Sequence, residues 1–248
     1  MGKFFLLSLA FLASVRILPV HAEASILKSV LDASKAVVSV QADAGGVFGD
    51  QPQGFVDPST GEIVILRKIM PVQFTRTGAG VIIDPSGLIV TNAHTVVQAG
   101  RITVTFQNGE SSTAQIVHTV PHRDLAFIKP ERAGTFPTVE LSDSDRVAIG
   151  LAIYSVGNSP LRRGSIGEGS ITGIGTQGDN PQPGDIQVDV LQVNLDLFGG
   201  DSGTPVFDGQ GKLLGIVAAA QVSVANVTYA IPSNAIRNGY LEYRSKNS

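Results

Sequence analysis

Residues 199–205 read GGDSGTP and lead directly into the apolar pair Val206-Phe207. A serine between glycines is typical of a nucleophile on a tight turn, because glycine lets the backbone turn without steric cost. A serine hydroxyl needs an adjacent base to attack at neutral pH, and the resulting oxyanion needs backbone N–H donors. Gly200 is suited to present such a donor. A glycine-rich hairpin turn that contains a serine is the alternative that this stretch alone leaves open.

A base and an acid for this serine lie upstream. His94 ends the run TNAH after the apolar residues 88–90, and Asp124 stands at the start of the apolar run 125–128. The order histidine, aspartate, serine is that of the chymotrypsin group, and it differs from the orders in subtilisin and the α/β-hydrolases. Asp124 is otherwise a turn residue that starts a strand. Three other aspartates are available as the acid: Asp143, Asp145 and Asp185.

Four blocks of the sequence resemble the HtrA/Deg branch of the trypsin-like serine proteases. They are GAGVII at 78–83, LIVTNAH at 88–94, DLA at 124–126 and YAIPS at 229–233. The resemblance runs from about residue 25 to the C-terminus. From its length, the sequence is expected to lack the PDZ domain that most HtrA-like chains carry. It also has Asp201 and Thr204 where that branch usually has asparagine and a second glycine.

The resemblance implies a serine endopeptidase that acts on unfolded or damaged proteins. Ser202 would attack the scissile carbonyl, His94 would take its proton, and Asp124 would hold the imidazole. The oxyanion hole falls at Gly200, Asp201 and Ser202, with the N–H groups of Gly200 and Ser202 as donors. In trypsin the aspartate before the nucleophile pairs with a newly cut N-terminus. This chain has Asp201 but no matching activation site, so the sequence identifies no partner for it.

The substrate pocket is expected to be lined by Asp196, Ala218, Ala219, Ala220 and Val227. Asp196 falls where trypsin keeps the acidic residue that selects lysine or arginine. Val227 falls where trypsin has glycine, and its side chain is expected to block a long cation, since overpacking costs about 1–3 kcal/mol. Cleavage is therefore expected after small or medium apolar residues such as valine, alanine or isoleucine.

The composition predicts an all-β chain rich in turns. Hydrophobic residues make up 43% and charged residues 16%, which is enough apolar surface for a buried core, and short apolar runs alternate with 28 glycines and 13 prolines. We predict two six-stranded antiparallel β-barrels of the chymotrypsin type, with short N- and C-terminal helices. The first domain, residues 25–132, would carry His94 and Asp124. The second, residues 133–248, would carry Ser202 and the oxyanion loop.

Local patterns add detail to this prediction. Residues 25–35 have helical spacing, and residues 43–76 look the least regular, with one strand at 63–66. The resemblance implies that a long regulatory loop projects from this region. Ser233 is the expected N-cap of the C-terminal helix. His118 and His122 are expected at the surface.

Residues 1–24 read as a signal peptide. Lys3 gives a positive start, residues 4–15 an apolar core, and cleavage is expected after Ala22 or Ala24. An uncleaved anchor is the alternative, and no later segment is long enough to span a membrane. The chain has no cysteine. A cysteine-free exported protein fits a bacterial periplasm or the cell exterior.

The sequence argues against some ligands and leaves two alternative functions open. The net charge of −3 and the lack of a basic, aromatic-rich run argue against nucleic acid. No zinc spacing or P-loop is present, so neither a metal nor another cofactor is expected. A protease-fold binding or chaperone module with an inactive oxyanion loop is one alternative. A glutamyl-endopeptidase-like protease is another, although the strand 213–219 lacks the histidine that such enzymes use.

The assembly state is left open by the sequence. HtrA-like proteases are commonly trimers built through N-terminal segments. The apolar stripe of residues 25–35 would pack either on a neighbouring copy in a homotrimer or on its own barrel.

Overall fold

The computed structural model describes residues 20–49, 53–56, 59–60, 62–66, 69–157, 164–176, 189–195, 201–220 and 228–247. Most of the predicted signal peptide lies outside these residues, as do Asp185, Asp196, Gly200 and Val227. The described elements are α1 (Val20–Ser34), β1 (Val37–Gly49), β2 (Gln53–Val56), β3 (Ile63–Leu66), β4 (Ile69–Asp84), β5 (Leu88–Asn92), α2 (Ala93–Val96), β6 (Ala99–Thr105), β7 (Ser111–Val120), β8 (Leu125–Pro130), β9 (Ala152–Val156), β10 (Ile166–Thr176), β11 (Asp189–Val193), β12 (Pro205–Phe207), β13 (Leu213–Ala220), β14 (Thr228–Pro232) and α3 (Ser233–Lys246).

Twelve of these strands close into two barrels. The first runs in the order β1-β4-β5-β8-β7-β6, and the second in the order β10-β11-β14-β13-β12-β9. Neighbouring strands pair antiparallel throughout. The predicted pair of six-stranded antiparallel barrels with short terminal helices is confirmed.

Apolar runs in the sequence become the buried centre of each barrel. Every residue of β5 is buried, and Phe127 of β8 is fully buried in the first barrel. The same cluster continues through Phe207 and Ile216 of the second barrel. A smaller cluster around Ile153 fills the rest of the second barrel. Because removal of apolar surface from water is worth about 25 cal/mol per Å², this shared core holds the two barrels together.

A two-stranded arm replaces the irregular segment expected at 43–76. β1 pairs with β6 only as far as Ala44, whereas its pairing with β4 continues to the pair Gly49 and Ile69. We call residues 43–49 with 69–75 the arm. The strand expected at 63–66 is present as β3 and pairs with β2. Glycine, proline and exposed positions in the arm interrupt the alternation of apolar and polar residues that predicts a strand. The strand forms because its backbone pairs with the neighbouring strand.

The N-terminal helix packs on its own chain. Val30 and Ala33 are buried in the main core, and Ile26 packs against it. Leu27 and Leu31, on another side of α1, each remain 48% exposed. Packing within the same chain, against β9 of the second barrel, therefore accounts for one side of the predicted apolar stripe.

The expected capping role of Ser233 is wrong. Ser233 is the first residue of α3 and is fully buried, and its hydroxyl donates to the carbonyl of Ser142 at 2.8 Å. The helix N-terminus is instead capped from a distant segment, because Asn234 N donates to Ser144 Oγ at 3.0 Å. A residue distant in sequence thus caps the helix N-terminus, whereas in most helices a local side chain does so.

The surface prediction holds for His122 and is wrong for His118. The His118 side chain is only 9% exposed and lies between the rings of Phe127 and Tyr243. His122 is exposed. The difference arises because α3 packs across β7 and covers the strand face that carries His118.

Candidate active site

His94 is positioned by the junction between a buried strand and a single helical turn. β5 ends at Asn92, and α2 places His94 as its second residue. Ala93 N donates to the carbonyl of Asp124 at 2.9 Å, which ties the start of α2 to the segment before β8. The His94 side chain is 49% exposed and so is accessible from solvent.

Asp124 occupies the left-handed region of backbone space. Its φ is 51° and its ψ is 36°, directly after the 3-10 turn Pro121–Arg123. Aspartate tolerates this conformation better than most residues with a side chain. The turn aims the carboxylate at His94: Oδ1 accepts from His94 N at 2.8 Å, and Oδ2 lies 2.7 Å from His94 Nδ1.

These contacts define the imidazole's hydrogen-bonding roles. When the carboxylate is ionised it can only accept, so Nδ1 donates to it, and in that tautomer Nε2 is an acceptor. His94 Nε2 lies 3.1 Å from Ser202 Oγ. The three residues therefore form one line of hydrogen bonds in which the serine hydroxyl faces a base.

The two competing aspartates that the structure describes, Asp143 and Asp145, lie near the start of α3. Asp143 accepts from Asp145 N and from Asn234 Nδ2 at the start of α3. Asp185 is outside the described residues. Of the aspartates weighed from the sequence, Asp124 is the one that the described structure brings to His94.

Ser202 reaches His94 because its loop is seated on the first barrel. Ala79 N, on β4, donates to the Ser202 carbonyl at 2.7 Å, and Gly203 N donates to the Val217 carbonyl at 2.8 Å. Gly203 has φ +81°, and a Cβ there would lie 2.0 Å from the carbonyl oxygen of Ala79. Gly78 is also confined, though less tightly, since a Cβ at that position would lie 2.8 Å from the Ser202 carbonyl oxygen.

Thr91 is a supporting residue that the sequence analysis did not single out. It is fully buried on β5, and its hydroxyl donates to the Ala79 carbonyl at 2.7 Å. The same peptide region thus supports Ser202 through Ala79 N. A threonine in the block TNAH was visible in the sequence, but only the barrel geometry turns it toward β4.

The oxyanion and pocket residues are described in part. Asp201 is buried at 4% exposure, and its carbonyl accepts from Thr204 N at 3.0 Å. Ala218, with Ala219 and Ala220, lies on β13, where the register with β14 shifts between Val217 and Ala219. Gly200, Asp196 and Val227 lie outside the described residues.

Neither a cluster of metal ligands nor a helix suited to crossing a membrane occurs in the described part of the chain. No three of its histidine, aspartate or glutamate side chains come together as metal ligands. Among the helices of the described ranges, none is both long and apolar enough to cross a bilayer.

Comparisons with known proteins agree with this fold. HhoA of Synechocystis sp. is 32% identical over 165 residues, which are 65% of this chain and 42% of HhoA. The serine protease Do-like HtrB of Bacillus subtilis is 31% identical over 152 residues, 59% of this chain and 33% of HtrB. The matches thus span less than half the length of these two relatives.

Solved structures and family models give the same assignment. A variant of the HtrA-type protease AlgW with a decapeptide superposes with a TM-score of 0.68 at 22% identity, covering 90% of this chain and 68% of that one. The family model of the trypsin-like peptidase domain matches residues 78–216, more than half of the sequence. The chain belongs to the trypsin-like peptidase family, and HtrA-type serine proteases are among its relatives.

Proposed function

We propose that this chain is a serine endopeptidase that uses Ser202, His94 and Asp124 as its catalytic triad. The observation that carries the proposal is the line of hydrogen bonds from Asp124 Oδ2 through the imidazole to Ser202 Oγ. Ser202 Oγ attacks the scissile carbonyl while its proton passes to His94 Nε2. The imidazolium, held by Asp124, then protonates the leaving amine, and water hydrolyses the acyl-enzyme.

The two domains divide this chemistry. Residues 25–132 supply the base and its carboxylate, and residues 133–248 supply the nucleophile and the oxyanion loop. The N–H groups of Gly200 and Ser202, on either side of Asp201, are proposed to bind the oxyanion, because backbone donors that are already oriented need no reorganisation during reaction. The buried main chain around Gly203 supports this arrangement by holding Ser202 in place.

The proposed substrates are unfolded or damaged proteins outside the cytoplasm. The sequence features of a signal peptide at residues 1–24 and the absence of cysteine support export to the periplasm or the cell exterior. The relative AlgW was solved with a decapeptide, which supports a peptide as the ligand class.

For specificity, we propose cleavage after small or medium apolar residues. Ala218 is partly buried and lies on the strand that borders the proposed pocket, together with Ala219 and Ala220. Val227 would close the pocket to a long cation, and Asp196 would then stay away from the substrate. Mapping of cleavage sites in denatured casein checks this proposal, and a preference for lysine or arginine before the cut would contradict it.

A homotrimer is the assembly that we propose, with the exposed leucines of α1 at the contact. Leu27 and Leu31 are each 48% exposed, although the other side of the helix packs on its own chain. Light scattering on the double variant Leu27→Ser, Leu31→Ser should give a lower mass than the wild type. Leu241→Ser, which changes a leucine that is 57% exposed on α3, is the control and should leave the mass unchanged. An unaltered mass in the double variant would remove this helix from any interface.

Labelling with a fluorophosphonate probe tests the central proposal. The wild type should be labelled, Ser202→Ala should not, and Ser245→Ala, a change on the exposed end of α3, should label like the wild type. Loss of the wild-type signal would favour the alternative of a protease-fold binding module with an inactive oxyanion loop. Equal labelling of wild type and Ser202→Ala would end the assignment of the nucleophile.

A further inference from the structure

Arg76 connects the arm to the helical turn that carries His94. It lies on β4 opposite Ala42, close to where the strand leaves the barrel. Its Nη1 donates to the carbonyl of His94 at 2.6 Å, and its Nη2 donates to the carbonyl of Val97 at 2.5 Å. One guanidinium therefore binds two carbonyls at the C-terminal end of α2.

The turn that Arg76 contacts depends on such outside support. α2 has only four residues, and an isolated turn of this length is not stable in water. The last carbonyls of any helix lack intrahelical partners and carry partial negative charge, so a cation is favourable there. Asp124 binds the opposite side of the same residue, through His94 N. The main chain of His94 is thus held at its N–H by a carboxylate and at its C=O by a guanidinium.

Apart from the two carbonyls, the charge of Arg76 meets one aromatic ring in the described part of the chain. No carboxylate there forms an ion pair with it, and its Nε is buried without a hydrogen-bond partner. The guanidinium stacks near the ring of Phe74 in the arm, 5.7 Å from the centroid. Partial burial of a cation with one unsatisfied N–H costs stability, so the two carbonyl contacts are the interactions that offset this cost.

We propose that Arg76 is a positioning residue for His94. By fixing the rotation of α2, it keeps the imidazole on the line between Asp124 and Ser202. The two Nη groups match two carbonyls in a way that a lysine ammonium, whose three N–H donors all sit on one nitrogen, cannot fully reproduce. The inference rests on the proposed protease function, but its geometry can be tested without turnover.

The test compares Arg76→Gln and Arg76→Lys with the control Arg132→Gln, which alters an exposed arginine paired with Glu110 on the first barrel. Arg76→Gln should lower kcat on the order of 10- to 100-fold with KM little changed, because small misplacements of a catalytic group have effects of this size. Arg76→Lys should recover part of the loss. Arg132→Gln should behave as the wild type.

A second measurement separates this inference from the proposed function. In protein labelled with ¹⁵N-histidine, the Nδ1–H signal of His94, assigned with His94→Ala, reports its hydrogen bond to Asp124. The signal should weaken in Arg76→Gln and persist in Arg76→Lys and Arg132→Gln. An unchanged signal and unchanged kcat in Arg76→Gln would overturn the positioning role. If the wild type is not labelled by fluorophosphonate, the protease function fails, and the His94 signal alone decides the role of Arg76.

Discussion

In the first barrel, His94 and Asp124 are joined to each other by side-chain and backbone hydrogen bonds between polar groups that remain partly exposed. In the second barrel, Ser202 is placed by main-chain contacts: its carbonyl accepts from Ala79 N, and Gly203 packs against the Ala79 carbonyl with no room for a Cβ. The proposed base and its carboxylate are therefore positioned by polar contacts, and the proposed nucleophile by close packing of the main chain.

This difference implies different sensitivities in the two halves of the site. The loss of a polar contact near solvent costs little folding stability, because water and neighbouring groups partly compensate for a lost hydrogen bond. A close backbone approach tolerates no added Cβ, since overlap at 2 Å must be relieved by moving a strand. Substitutions on the two sides should thus separate loss of chemistry from loss of structure.

The largest effect is expected from the triad itself. Ser202→Ala or His94→Ala should each reduce casein cleavage by a factor on the order of 10⁴ or more, and the double variant should lose little beyond either single change, because the residues act as one unit. Thermal unfolding should change little in either variant. Additive losses in the double variant would contradict joint action at one site.

The next effect concerns the packed side of the site. Gly203→Ala should lower the free energy of unfolding by more than about 3 kcal/mol, since it combines an unfavourable φ with overlap against backbone. Gly109→Ala is the matched control, because Gly109 has φ +86° but open space around it, and should cost about 1–2 kcal/mol. Urea titrations measure both. Equal costs in the two variants would mean that φ alone, and not the contact with Ala79, restricts position 203.

A smaller effect is expected at the hydrogen bond between the Thr91 hydroxyl and the Ala79 carbonyl, next to Gly203. Thr91→Val keeps the side-chain shape but removes the donor to the buried Ala79 carbonyl, so it should cost about 1–3 kcal/mol. Thr105→Val removes a hydroxyl that bonds to Ser111 near the surface and should stay within about 0.5 kcal/mol of the wild type. Urea midpoints provide the comparison. A null effect at Thr91 would show that Ala79 is held without it.

The smallest effect lies where α3 meets the first barrel, far from the nucleophile in sequence. Tyr240 donates to Asp84 Oδ2 at 2.8 Å. Burial raises the pKa of Asp84, but hydrogen bonds from Ser86 and Tyr240 outweigh it and hold this pKa below its ordinary value. Tyr240→Phe should cost about 1 kcal/mol at neutral pH.

The pH dependence of this variant follows from the sign of the shift. A carboxyl whose pKa is lowered in the folded state adds stability above its unfolded pKa, and that stability is lost as the pH falls through the folded value. The difference between wild type and Tyr240→Phe should therefore shrink below about pH 4. The control is Tyr243→Phe, because the Tyr243 hydroxyl makes no hydrogen bond within the described ranges. The free energy of unfolding of all three proteins is measured across this pH range. A difference that stays constant down to pH 2 would exclude a contribution from the carboxylate.

The sequence by itself determined the strand-forming apolar runs, the two-barrel class and the order of the motifs around His94, Asp124 and Ser202. These follow from local hydrophobicity, turn residues and family resemblance, which can all be identified from the order of residues. Only the tertiary structure decided that residues 43–49 and 69–75 pair as an arm, and that α3 covers most of the His118 side chain. It also decided that Ser144, and not Ser233, caps that helix. Each of these depends on contacts between segments distant in sequence, and such contacts set burial and hydrogen bonding that no local pattern encodes.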